Sequence, residues 1–187
     1  MTQSKHWQPF TYDGKAHSLD HLHPHTVTFT LKPSIAFPNA ATYAVRVTYG
    51  LHCFTVDAEA RQEPGASAVY CGNPEGRLFS PTRWEHSKLL PNIIAMLGDR
   101  NCYPTERENY LTLAVVTPDG PREYAIFFRV SAASEGSNVD ANLLVQSAHF
   151  RAGYRAKVAP KRFTVILGET IRKARVRRGK DLKDGNK

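Results

Sequence analysis

Between His25 and Lys32 apolar and polar residues alternate without a break. Val27, Phe29 and Leu31 fall on one face, and Thr26, Thr28 and Thr30 on the other. A period of two with β-branched residues predicts a half-buried strand. Pro33 and Pro38 mark the loop that follows. The same period returns from Tyr43 to Tyr49, with Tyr43, Val45, Val47 and Tyr49 in phase. Gly50 interrupts it and Leu51–Val56 resumes it, which predicts a bulge or bend at the glycine. Residues 57–76 are rich in Glu, Gly, Pro, Ser and Ala and read as a surface loop, with room for a short strand at Ala68–Cys71.

From Pro81 to Leu97 the period changes. Leu89, Leu90, Ile93, Ile94 and Leu97 recur at helical spacing and form an apolar stripe. Thr82 followed by Glu85 fits a capping box at the helix start. Pro91 removes a backbone donor from the interior, so the stripe predicts a kink or two short helices in series. Strands then return at Tyr110–Val116 and Glu123–Val130. The Thr117-Pro118-Asp119-Gly120-Pro121 turn between them predicts an antiparallel hairpin. Asn142–Phe150 reads as a further strand and Arg162–Leu167 as the last, ended by Gly168. Strands, one helical segment, then strands again define an α+β domain over residues 1–171. It should have a mostly antiparallel sheet of five to seven strands and a kinked helical segment packed on one face. Residues 172–187 read as a basic, flexible tail.

Charge changes the picture. Residues 151–187 carry 13 Lys+Arg against 3 acids, whereas residues 1–150 carry 12 against 14. The net +8 of the chain is therefore a cationic end on a nearly neutral body. A polyanion is the simplest partner, because each phosphate neutralised releases condensed counterions. RNA or DNA is the expected ligand, contacted by Arg155, Lys157, Lys161, Arg162, Arg172, Lys173, Arg175, Arg177 and Arg178. An acidic partner protein is the alternative. No run of 18 apolar residues occurs, so no membrane span is expected. The start lacks the apolar stretch of a signal peptide. Cys53, Cys71 and Cys102, odd in number and far apart, read as thiols of a cytoplasmic protein.

Motifs exclude several chemistries. Neither Gly-x-x-x-x-Gly-Lys, Gly-x-Gly-x-x-Gly nor Gly-x-Ser-x-Gly is present, which argues against nucleotide hydrolysis, dinucleotide chemistry and an ordinary serine hydrolase. His17, His21, His23 and His25 crowd together, but without Cys-x-x-Cys or His-Glu-x-x-His spacing they read as a solvated patch. No cofactor and no metal is expected. The alternation of Asn142–Phe150 puts Leu143, Val145, Ser147 and His149 on one side, with Arg151 next in phase. Such a row, joined by Arg129 of the preceding strand, could take a proton from a ribose hydroxyl and stabilise a pentavalent phosphate. His149 would act as base or acid, Arg151 and Arg129 would hold the phosphorane, and Ser147 would orient it.

Tyr49–Thr55, Arg83–Pro91 and Leu143–Arg151 resemble stretches of a family of small uncharacterised bacterial proteins, over residues 43–167. More loosely, the late antiparallel sheet with its basic residues is similar to ribonuclease toxins of the RelE and barnase-like kind. That similarity implies RNA cleavage without metal. Two functions of different classes follow. One is a metal-independent, toxin-like endoribonuclease of a toxin–antitoxin pair. The other is a non-enzymatic nucleic-acid-binding regulator or accessory subunit, or an interaction module that docks an acidic partner.

Overall fold

The computed structural model of the protein describes residues 6–35, 37–57, 69–70, 76–104, 109–117, 120–150 and 158–184; for 109–117, 120–121 and 180–184 it describes the backbone alone. In chain order these residues form β1 (Phe10–Tyr12), β2 (Lys15–His17), β3 (His25–Leu31), β4 (Ala41–His52), β5 (Thr55–Val56), β6 (Leu78–Phe79), α1 (Pro81–Ser87), α2 (Leu90–Ala95), β7 (Asn101–Pro104), β8 (Asn109–Thr117), β9 (Gly120–Ala132), β10 (Ala141–Phe150), β11 (Lys161–Arg162) and α3 (Phe163–Asp184). Seven strands make one sheet in the order β11-β7-β8-β9-β10-β4-β3. Within it β4 and β10 run parallel, and the other neighbours run antiparallel. The class is α+β with a mostly antiparallel sheet, as the alternation predicts.

The strands with clean periodicity form where they were expected. In β3, Phe29 and Leu31 are buried while Thr26, Thr28 and Thr30 face solvent. In β4, Val45, Val47 and Tyr49 are buried. Asp140 fastens the start of β10 to β4: its backbone N–H donates to the Ala44 carbonyl at 2.8 Å, and its carboxylate accepts from the Ala44 N–H at 2.9 Å. The β8–β9 hairpin pairs Asn109 with Phe128 through to Thr117 with Gly120. Residues 58–68, 71–75 and 118–119 lie outside the described residues; Val69 makes a single bridge to Leu78.

The helical segment is two short helices, α1 and α2, with Pro91 in the first turn of the second, where its missing N–H costs least. The start differs from the predicted capping box. Ser80 is the cap, its hydroxyl accepting from the Arg83 N–H at 3.1 Å, and Pro81 opens the helix. Leu90, Ile94 and Leu97 are fully buried, while Leu89 is 38% exposed and lies off the seam.

The C-terminal part requires a larger correction. Only Lys161 and Arg162 form a strand, paired with β7, and the chain from Phe163 onward is helix. Phe163, Ile166, Leu167 and Ile171 are buried at helical spacing. Phe163 stands between Phe29 (4.8 Å between ring centroids) and Phe128 (5.9 Å). Burying such side chains stabilises the fold by roughly 1.5–3 kcal/mol each. Gly168, expected to end a strand, instead lets the helix approach: a Cβ there would stand 3.0 Å from both Leu31 and Phe37. Arg172 through Arg178 continue this helix, so the residues read as a tail are helical to Asp184.

Candidate functional site

The first predicted site lies on β9 and β10. The register between them shifts between Val145 and Ser147. Val145 pairs with Phe128 on the core face, whereas Ser147 pairs with Phe127 on the outer face. The bulge at Gln146 therefore breaks the predicted phase: Leu143 and Val145 point into the core, and Ser147 and His149 point away from it. Phe150, placed with the opposite set by simple alternation, pairs with Tyr124 and packs against its ring at 5.2 Å. The partner strand β4 slips at the same level, from Tyr49 opposite Val145 to His52 opposite Ser147. This is the irregularity expected at Gly50.

Arg129 pairs with Leu144 and so shares the outer face. The order along that face is Arg129, Ser147, His149, with Arg129 and His149 separated by roughly four residues of strand, or about 13 Å along the backbone. The His149 ring lies nearly parallel to Phe127 (centroids 5.7 Å, interplanar angle 18°). Ser147 and His149 are half-buried and Arg129 is exposed. Three of the four residues predicted as catalytic thus come to one face. Arg151 lies outside the described residues.

Other chemistry-bearing groups are committed elsewhere. Cys53 is buried, and its thiol donates to the Val145 carbonyl at 3.6 Å. Burial pushes its pKa up to about 12, so it is no nucleophile near neutral pH. Cys53 and Cys102 are free thiols, and Cys71 lies outside the described residues. The Ser87 hydroxyl donates to the Trp84 carbonyl at 2.7 Å, so His21 Nε2, 2.7 Å from the same oxygen, is the donor to it. This serine, fully buried, is consequently not activated by the histidine. Burial, with the Lys88 charge added, lowers the His21 pKa. His23 meets the Trp7 carbonyl at 3.1 Å, and His25 stacks on Tyr49 at 5.8 Å. The histidine-rich segment packs around aromatic rings, and no group of three metal-ligating side chains converges among the described residues.

The second predicted site is α3. Among the described residues its buried apolar side chains end at Ile171, and Arg172, Lys173, Arg175 and Arg177 are exposed. Thr170, Lys173, Ala174, Arg177 and Arg178 line a cleft of about 400 Å³ against Ala132 at the end of β9. Arg178 is held at the cleft wall by donating to the Ala133 carbonyl. Arg175 and Arg178 also border a smaller groove of about 190 Å³, where Glu135 and Asp140 supply opposite charge. Arg172 lies over the Phe37 ring at 4.9 Å. Lys161 is paired with Glu169 at 2.9 Å, so part of its charge is already answered. Arg162 lines a separate cleft of about 250 Å³ with Lys32 and Asp99. Arg155 and Lys157 lie outside the described residues. Cations on the later turns of a helix also favour the helix itself, through its macrodipole.

Fold and site together define an α+β protein whose mostly antiparallel sheet carries a long basic helix at its C-terminal side. No helix among the described residues is long and apolar enough to cross a membrane. The chain belongs to the YjaZ family, whose model matches residues 9–171. That match includes all three segments in which the family resemblance was read, and it stops where the exposed cationic half of α3 begins. No curated protein and no solved structure matches the chain.

Proposed function

We propose that this protein binds nucleic acid in the cytoplasm, with the exposed half of α3 as its electrostatic contact. The observation that carries this reading is the clustering of Arg172, Lys173, Arg175, Arg177 and Arg178 on two turns of one helix, where four of the five are exposed. Such an array gives affinity without base choice, since phosphate contacts position a nucleic acid and do not read it. Binding of a labelled RNA or DNA should therefore fall steeply with salt. Changing Arg172, Lys173, Arg175 and Arg177 together to Gln should flatten the slope of log K against log salt by roughly 3–4. A slope unchanged by the four substitutions would refute the reading. Co-purification of an acidic protein, with no nucleic acid retained, would favour the docking of a partner instead.

A second reading rests on the common face of Arg129, Ser147 and His149. The loose similarity of a late antiparallel sheet with basic residues to RelE and barnase-like ribonucleases is what supports it. Here His149 would remove the 2′-hydroxyl proton, Arg129 would meet the charge building on the phosphorane, and Ser147 between them would orient the phosphate. Arg151 would add to the same charge. Purified protein should then cleave RNA in the presence of a chelator, and His149→Ala should lose at least ~10²-fold in rate. Equal cleavage by that variant removes the assignment and leaves the nucleic-acid contact of α3 untouched.

A further inference from the structure

We infer that the cleft between α3 and the end of β9 is a seat for one phosphodiester of a bound nucleic acid; this rests on the nucleic-acid reading above. The helix makes the site by its spacing. Thr170, Lys173, Ala174 and Arg177 recur at three and four residues and so share one face, with Arg178 one step beyond. The sheet makes it by ending in small residues. Ala132 opposite Ala174 leaves an opening of about 400 Å³ where larger side chains would close it. That volume exceeds a bare phosphate and lies near the lower end of the range for small-molecule sites, ~300–1,000 Å³. It fits a phosphate with its sugar.

The lining sets the chemistry. Three cations border the cleft, and none of the described residues lining it is a carboxylate. The neighbouring groove, which shares Arg178 and adds Arg175, includes the carboxylates of Glu135 and Asp140, so its lining charges balance. The Thr170 hydroxyl donates to the Ile166 carbonyl at 2.8 Å, so the donors left for a ligand are the Lys173 ammonium and the two guanidiniums. Arg178 is anchored by the Ala133 carbonyl, which spends one of its five donors and fixes the direction of the rest. A planar guanidinium already held in place suits bidentate contact with phosphate. The helix macrodipole accounts for cations on these turns in general. It does not account for the cleft, nor for the exclusion of carboxylates from its wall.

Charge-matched variants test the seat. Lys173→Gln with Arg177→Gln removes two charges from the cleft. Arg172→Gln with Arg175→Gln removes two from elsewhere on the same turns. Ala174→Leu fills the cleft and removes none. Affinity for a short labelled single-stranded RNA, and for DNA of the same sequence, is measured by anisotropy over a series of salt concentrations, and the variants are compared at equal salt. The cleft pair should lose at least ~10-fold more than the control pair. Ala174→Leu should also lose ~10-fold, with the salt slope kept. Equal losses in the two pairs, with Ala174→Leu binding as the parent does, would overturn the seat and leave α3 as a diffuse contact. Failure of the parent to bind any nucleic acid would refute the underlying reading instead. The phosphate seat would then be decided by inorganic pyrophosphate. A rise in Tm that the cleft pair abolishes supports it, and no rise removes it.

Discussion

A Gly50→Val variant is expected to lose about 3 kcal/mol of stability or more, and roughly 6–12 °C in Tm. The cause is space. A Cβ on Gly50 would stand 2.7 Å from the Gln146 carbonyl oxygen and 3.3 Å from the Gln146 Cα and carbonyl carbon. These are backbone atoms, so no side chain can rotate away to relieve the contact. The two strands could separate only by undoing the paired irregularities at Gly50 and Gln146. Straightening β10 would turn Ser147 and His149 toward the core and Phe150 out of it, so that escape carries its own cost. Gly179, where a Cβ would meet nothing within 4 Å among the described residues, supplies the control. Gly179→Ala should match or slightly exceed the parent. Thermal and urea unfolding of both variants checks the contrast, and a Gly50→Val Tm within about 2 °C of the parent would contradict it.

The domain should also lose stability steeply above pH 9. Cys53 and Cys102 are both fully buried, and burial pushes each thiol from 9.0 up to about 12. Burial likewise pushes the Tyr49 and Tyr124 hydroxyls far above their ordinary value, and neither has a hydrogen-bond partner among the described residues. Raised folded-state values mean that the native protein keeps protons which the unfolded chain gives up. Stability is therefore intact below about pH 9 and falls as pH rises toward 12. The slope is about −1.4 kcal/mol per pH unit for each thiol, with the tyrosines adding to it above about pH 10. Such a loss is of the order of a typical domain stability, about 5–15 kcal/mol. Urea midpoints between pH 8 and pH 11 measure it. Cys53→Ala should have a shallower slope whatever it does to the midpoint at pH 8. A midpoint flat to pH 11 would show that solvent reaches these groups.

How much of this could be read from residues alone varies with the kind of signal. β3, β4, β10 and the β8–β9 hairpin were legible because a two-residue period and a Pro-Asp-Gly turn act locally. The β1–β2 hairpin also had its signal. Asp13 and Gly14 both adopt positive φ, as an Asp-Gly hairpin turn requires, but three-residue strands are too short for a period to register. α3 was not legible as a helix. Phe163, Val165 and Leu167 alternate as a strand would, and Phe163, Ile166 and Leu167 repeat as a helix would. Gly168 tipped the reading toward a strand end, although its role is the close approach of Leu31 and Phe37. At the candidate site the residues were found but their face was not. The bulge sits at Gln146, an unremarkable strand residue, and its only sequence mark is Gly50 on the neighbouring strand. The clefts of α3 were out of reach for a similar reason: Ala132, which leaves the larger one open, lies far away in the sequence.

Phe163 closes over Phe29 and Phe128, which belong to strands made much earlier on the ribosome. A nascent chain that has emerged only through β10 holds all its central strands but lacks the helix that covers that aromatic layer. Until the first two turns of the final helix follow, the unfinished polypeptide presents an oily surface to chaperones and proteases.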